Sequence, residues 1–204
     1  MTATLAPTKI YTLEEYFELE YQSSEKHEFL DGKIKKMTYT AKPHGKVVTN
    51  LLSRIDDFLE DSDLEIYAGD RMLYVPDCNK VYYPDLIVLP LEVETYAYRG
   101  KMEADLYPVA LIEILSDSTQ SNDKEEKWHC YQKISTLREY MLVSQQYPFV
   151  QVFHRAAESV EWSYFSADQM EASVTFVGCN MSLKNIYKRV KFPPASAASD
   201  EQAV

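Results

Sequence analysis

The sequence predicts one α/β domain of the α+β kind, a mixed sheet flanked by helices with an additional antiparallel strand region. Three observations lead there. Apolar residues recur at helical spacing over 44–60, from Val47 and Val48 to Phe58 and Leu59. A nearly unbroken apolar run fills 109–115, as expected of a strand covered on both faces. Helix and strand signals follow the order helix, hairpin, helix, strands, helix, strands, and this lack of strict alternation sets aside a Rossmann fold.

Taken in order, residues 1–10 read as a loose lead-in, 11–190 as the domain and 191–204 as a disordered tail rich in Pro, Ala and Ser. Thr12 and Glu15 form a capping-box pattern that opens a short helix through about Tyr21. Asp31-Gly32 between alternating segments predicts a hairpin. After the helix at 44–60, strands are expected near 65–75 and 82–89, parted by a turn at 76–79. The charged, Tyr-rich stretch 91–107 reads as a loop or short helix. The apolar strand 109–115 precedes a second helix over 123–135, capped near Ser121 or Asn122. Strands at about 139–144, 149–155 and 160–165 and a short element near 182–188 complete the chain.

Bulk properties exclude several classes. No glycine-rich nucleotide-binding motif is present. The net charge of −11 argues against a broad electrostatic grip on nucleic acid, although a local cleft can differ in sign from the whole. The cysteines, Cys78, Cys130 and Cys179, are odd in number and form no C-x-x-C pair, so a disulfide framework is not expected and a reducing cytoplasm fits. Neither a signal peptide nor a bilayer-spanning run is visible. Zinc is not expected, because His129 and Cys130 are adjacent and lack a matching pair elsewhere. The 16 tyrosines are read as amphipathic packing, rings inside and hydroxyls at the wet edge.

Chemistry concentrates at three positions. Glu113 sits inside the apolar run Val109–Leu115, where a carboxylate must be paired, protonated or metal-bound. A solvent-facing Glu at a strand end is the bland alternative. Asp85 follows Pro84 and opens the next apolar strand, and strand-entrance turn chemistry would also explain it. If the two strands run antiparallel side by side, Asp85 at the start of one meets Glu113 near the end of the other. Two such acids repel unless a cation lies between them, and hard oxygen ligands suit Mg²⁺, with Mn²⁺ as substitute. Lys127 heads the inward stripe of its helix, with Cys130, Tyr131 and Ile134. A surface pair with Asp123 or a snorkelling stem is its ordinary explanation. His44, just after Pro43, either touches substrate phosphate or serves only to begin a helix.

The order of these pieces resembles a known family. Glu28-Phe-Leu-Asp-Gly-Lys-Ile is followed by Pro84-Asp85. Then comes Ile112-Glu113-Ile-Leu-Ser116, with Thr119, Asp123, Lys127 and Tyr131 beyond it. Leu137-Arg-Glu139-Tyr140 closes the series, with Leu142-Val143 after it. From about Thr12 to Phe165 the chain is similar to the Uma-type restriction endonuclease family of the PD-(D/E)XK superfamily. The resemblance implies a restriction-endonuclease-like core with flanking helices. It also implies metal-binding acids at Asp85 and Glu113, and a further acid at Glu28. The superfamily pattern would put lysine at position 115, where this chain has Leu115; the family supplies it from the following helix, at Lys127. Ser144 stands where an acid is expected.

The activity implied is Mg²⁺-dependent endonucleolytic hydrolysis of phosphodiester bonds in nucleic acid, taken as DNA. Catalysis would rest on Asp85, Glu113, Lys127 and Glu28, with the Ile114 carbonyl completing the metal shell and His44 binding substrate. A cytoplasmic homodimer without membrane contact is expected. Competing readings are a catalytically silent nuclease-fold protein acting as a binding or regulatory homodimer, a glycosidase with paired carboxylates, and a plain dimerisation module.

Overall fold

In the computed structural model, which describes residues 9–115 and 121–192, the chain opens with α1 (Leu13–Gln22). Its capping box is complete: Thr12 accepts from the Glu15 N–H, and Glu15 returns a bond to the Thr12 N–H. β1 (His27–Leu30) and β2 (Lys33–Lys36) form the expected hairpin. Both turn residues take positive φ, Asp31 at 49° and Gly32 at 89°, the geometry that Asp-Gly tolerates. α2 (Lys42–Leu59) follows, and Val47, Leu51, Ile55 and Leu59 form its buried stripe.

The strand expected over 65–75 is two strands, β3 (Leu64–Ala68) and β4 (Met72–Val75), because Gly69 at φ 66° turns the chain between them. The strand expected over 82–89 is likewise two, β5 (Lys80–Tyr82) and β6 (Leu86–Pro90), broken at Tyr83-Pro84-Asp85. The stretch 91–107 is neither loop nor helix throughout. It carries a small antiparallel pair, β7 (Thr95–Ala97) and β8 (Glu103–Asp105), with a turn at Gly100.

β9 (Ala110–Leu115) leads to α3 (Ser121–Tyr131), which begins two residues before the predicted Asp123 and ends four before Ser135. Ser121 and Asn122 thus lie in its first turn and do not precede it. β10 (Glu139–Ser144) and β11 (Val150–His154) fall where expected, and β12 (Ser163–Ala167) lies slightly later. A hairpin of β13 (Ser173–Phe176) and β14 (Cys179–Ser182) was not anticipated, and α4 (Leu183–Ile186) is the short closing element. The tail expected to be disordered lies outside the described residues from 193 onward, as does most of the lead-in.

Two six-stranded sheets result, ordered β2-β1-β5-β4-β8-β7 and β12-β11-β10-β9-β6-β3. Both are mixed, since β9 runs parallel to β10 and β4 parallel to β8. The second sheet is covered on both faces, which explains the apolar run at 109–115. One face, through Leu86, Val88, Ala110, Ile112 and Met141, packs on α2, the β13–β14 hairpin and α4. The other, through Ile87, Leu111, Tyr140 and Leu142, packs on α3 and on Leu73, Val75 and Tyr82 of the first sheet. A third cluster seats α1 on the first sheet through Tyr16, Phe17 and Phe29.

Several tyrosines behave as expected, ring buried and hydroxyl bonded. Buried Tyr16 donates to the His27 carbonyl at 2.8 Å, and Tyr83 donates to Glu20 at 2.7 Å. The cysteines do not: Cys78 and Cys130 form a disulfide across 52 positions, fastening the turn after β4 to the end of α3. The expectation of no disulfide is therefore corrected. Parity and motif spacing carry no information about two distant thiols that the fold brings together. Among the described residues, no helix is long and apolar enough to cross a membrane.

Candidate functional site

β6 and β9 pair antiparallel with Leu86 opposite Ile112. The positions just beyond, Asp85 and Glu113, therefore stand at one edge of the sheet. β6 begins only at Leu86, so β9 loses its backbone partner there. The Asp85 side chain takes over, and its Oδ2 accepts the Ile114 N–H at 2.7 Å. The Leu115 carbonyl accepts from Gln145 on the β10 side. By strand alternation the Ile114 carbonyl turns the opposite way, towards Asp85. Asp85 Oδ1 lies 3.1 Å from Nε2 of His44, which is buried in the first turn of α2. His44 thus both begins a helix and contacts an acid of the cluster.

Glu113 alternates onto the face that meets α3 and the first sheet. Lys127, projecting from α3, reaches it at 3.2 Å and 3.4 Å and reaches Glu28 Oε1 on β1 at 3.0 Å. Its ammonium also lies 5.5 Å from the centre of the Tyr82 ring. Exposure decides how much these contacts matter: the Lys127, Glu28 and Glu113 side chains are only 11%, 5% and 13% exposed, so they are not ordinary surface pairs. Glu28 Oε2 is approached by Lys35 from the solvent side at 3.6 Å. Tyr131, one turn after Lys127, donates to Glu113 Oε1 at 2.9 Å.

The electrostatics follow from burial and crowding. Burial pushes the Glu113 carboxyl up to about 7 from 4.5, against the pull of Lys127 and with the push of Asp85. Burial disfavours the Lys127 ammonium, but Glu113 and Glu28 outweigh it and hold its pKa above the ordinary lysine range. Burial, with Glu113 adding to it, keeps the Tyr131 hydroxyl neutral far beyond its usual range.

The five sequence-predicted positions fall into two contact groups, Asp85 with His44 and Lys127 with Glu113 and Glu28, which adjoin where Asp85 accepts the Ile114 N–H beside Glu113. Tyr131 is the addition. The sequence placed it on the inward stripe, and its spacing of four from Lys127 was the signal that both share a site-facing surface. Ser116 and Thr119 of the family pattern lie outside the described residues. Ser144 does turn chemistry, accepting the Gln146 N–H at 3.1 Å.

The donor set suits a hard divalent ion in type. Among the described residues no three His, Cys, Asp or Glu side chains are grouped to hold a metal. Asp85 and Glu113 offer two carboxylates and the Ile114 carbonyl lies on their side. Mg²⁺ is commonly held by one or two carboxylates while keeping several waters. Three acids against one buried ammonium also leave negative charge for a cation to offset.

A family model described as "Uma2: Putative restriction endonuclease" matches residues 13–184. An uncharacterized protein of Synechocystis sp., sll1609, is 32% identical over 141 residues, covering 69% of this chain and 78% of its own. A second from the same organism, slr1290, is 27% identical over 192 residues, covering 92% and 96%. Among solved structures, a "putative nuclease belonging to DUF820" from Anabaena variabilis superposes with a TM-score of 0.67. It covers 87% of this chain and 97% of its own at 18% identity, a likeness of fold.

Proposed function

We propose, from the premise that this chain belongs to the Uma2 family and has a restriction-endonuclease-like fold, that it is a divalent-metal-dependent endonuclease acting on DNA. The observation that supports this most is that Asp85 and Glu113, remote in sequence, adjoin where β6 starts beside β9, with Lys127 in contact with Glu113 there.

In this reading Asp85 and Glu113 hold Mg²⁺, or Mn²⁺ in its place, beside the Ile114 carbonyl. Such an ion, when bound, supplies Lewis acidity towards a phosphate and makes a nucleophile available at neutral pH. Lys127 stays protonated there, because its pKa is held above the lysine range. In this reading it orients the attacking water and stabilises charge that develops on the phosphate. Glu28 fixes the ammonium from the first sheet, and Tyr131 steadies Glu113 in its ionised form by donating to it. His44 sets the Asp85 carboxylate and lies where a substrate phosphate would approach.

Plasmid nicking with and without Mg²⁺ tests the proposal. Wild type is expected to convert supercoiled to open-circular DNA only with the ion, and Asp85→Ala is expected to lose this. Equal nicking by both proteins would assign the activity to a contaminant. Absence of both cleavage and Mn²⁺ binding by calorimetry would favour the silent alternative.

A further inference from the structure

A cavity of about 460 Å³ adjoins the carboxylate edge. Asp85, His44 and Tyr83 form its inner wall, and Lys26, Lys36 and Tyr39 lie towards its mouth. Its volume is that of a cube about 8 Å on a side. That is in the size class of a site for one small ligand. The major groove of a duplex alone is about 12 Å wide, so an intact double helix does not enter.

The chain that frames this cavity departs from the acidic whole. Residues 33–46, from β2 into α2, carry five lysines and His44 and no acid, in a protein of net charge −11; of these Lys36 and His44 line the cavity itself, with Lys26 and the acids Glu25, Asp70 and Asp85. Within the cavity the lysines have partners: Lys36 pairs with Glu25 at 2.6 Å, and Lys26 pairs with Asp70 and donates to the Gly69 carbonyl at 2.8 Å. Glu25, Lys36 and Asp70 are about half exposed or more, and such pairs contribute little, so a phosphate can exchange for either carboxylate. Tyr39 is the other anomaly. Tyr21, Tyr107, Tyr147 and Tyr164 are also exposed, but each keeps part of its ring covered, whereas Tyr39 is fully exposed at the cavity's edge.

We propose that this cavity receives an unpaired nucleotide next to the scissile phosphate, with Tyr39 stacking on a base and Lys26 and Lys36 meeting flanking phosphates. The substrate class is then single-stranded or locally unpaired DNA. Aromatic stacking together with a basic track is how proteins hold single strands without reading sequence. The inference rests on the nuclease reading of the adjoining acids, and binding can be measured apart from cleavage.

The test is fluorescence anisotropy in EDTA, with a labelled oligothymidylate of about 12 nucleotides and a duplex of the same length. The single strand is expected to bind about tenfold more tightly than the duplex. Tyr39→Ala is expected to weaken single-strand binding about tenfold while Tyr39→Phe stays within about twofold. Lys36→Ala should reduce the salt slope by about one phosphate contact. Equal affinity for duplex, no binding to either, or an unaffected Tyr39→Ala overturns the inference. Cleavage with Mg²⁺ is scored separately on the same oligonucleotides. Its absence in the presence of selective binding would sink the nuclease reading alone.

Discussion

Replacing Lys127 by Met should unsettle the whole domain as well as silence the site. Met keeps an unbranched stem of similar volume, so packing changes little and the charge is what is lost. In wild type the ammonium lies 3.0 Å from Glu28 and 3.2 Å from Glu113. At an effective dielectric of about 20, each contact is on the order of 5 kcal/mol of Coulomb attraction, most of it offset by the cost of burying the ions. Removing the cation leaves that cost without the attraction, and such truncations destabilise by about 3–5 kcal/mol. Glu113 can relieve part of this by taking a proton, because burial already holds it at about 7. The loss should therefore lie near about 3 kcal/mol at neutral pH and grow towards pH 8.5. Urea unfolding in EDTA measures it. Adding Glu113→Gln should restore about 1–2 kcal/mol, since one stranded charge disappears with it. A loss under about 1 kcal/mol, with the double variant simply additive, would refute the idea that buried charge governs this site.

Other outcomes follow from the same contacts. Glu113 has a raised pKa, so folding favours its protonated form. The stability it contributes is full below about 4.5 and is lost as pH rises through about 7, amounting to about 3 kcal/mol in metal-free protein. Urea midpoints across pH 4–8 should show that slope in wild type, and Glu113→Gln should flatten it. Tyr131→Phe removes a hydrogen bond to the ionised acid, so its cleavage profile should shift to higher pH with the fold retained; an unshifted profile would show that Tyr131 only fills space. Cys78→Ser should lower stability by up to about 4 kcal/mol on the chain-entropy estimate for a loop of 52 positions, and dithiothreitol should do the same to wild type and nothing to the variant.

How much of this could be read beforehand depended on how local its cause was. α1, α2 and the Asp31-Gly32 hairpin rest on caps, periodicity and turn residues within a few positions of each other, and they stand where expected. The β7–β8 pair escaped because its strands are only three residues long and lie in a charged, Tyr-rich stretch without clear alternation, held in part through contacts such as Arg71 with Asp105 and Glu103. The β13–β14 hairpin hides its turn at Val177-Gly178. A valine at φ 44° is poor turn chemistry, held by the Val177 N–H bond to Glu139 at 2.6 Å. For the site, an acid inside an apolar strand and a lysine on an inward stripe were legible as anomalies. Glu28 came only through the family resemblance, because its neighbourhood is set by how the first sheet meets α3, which no local pattern encodes.

The Lys127 ammonium sits where three separately folded pieces touch: a strand from each sheet, through Glu28 and Glu113, and the helix that carries it. It works as a rivet as much as a reagent. A lineage that abandoned the chemistry could not discard this lysine freely, because the two sheets would lose a shared fastening. A retired relative should therefore either keep the lysine or replace the whole trio by apolar residues together.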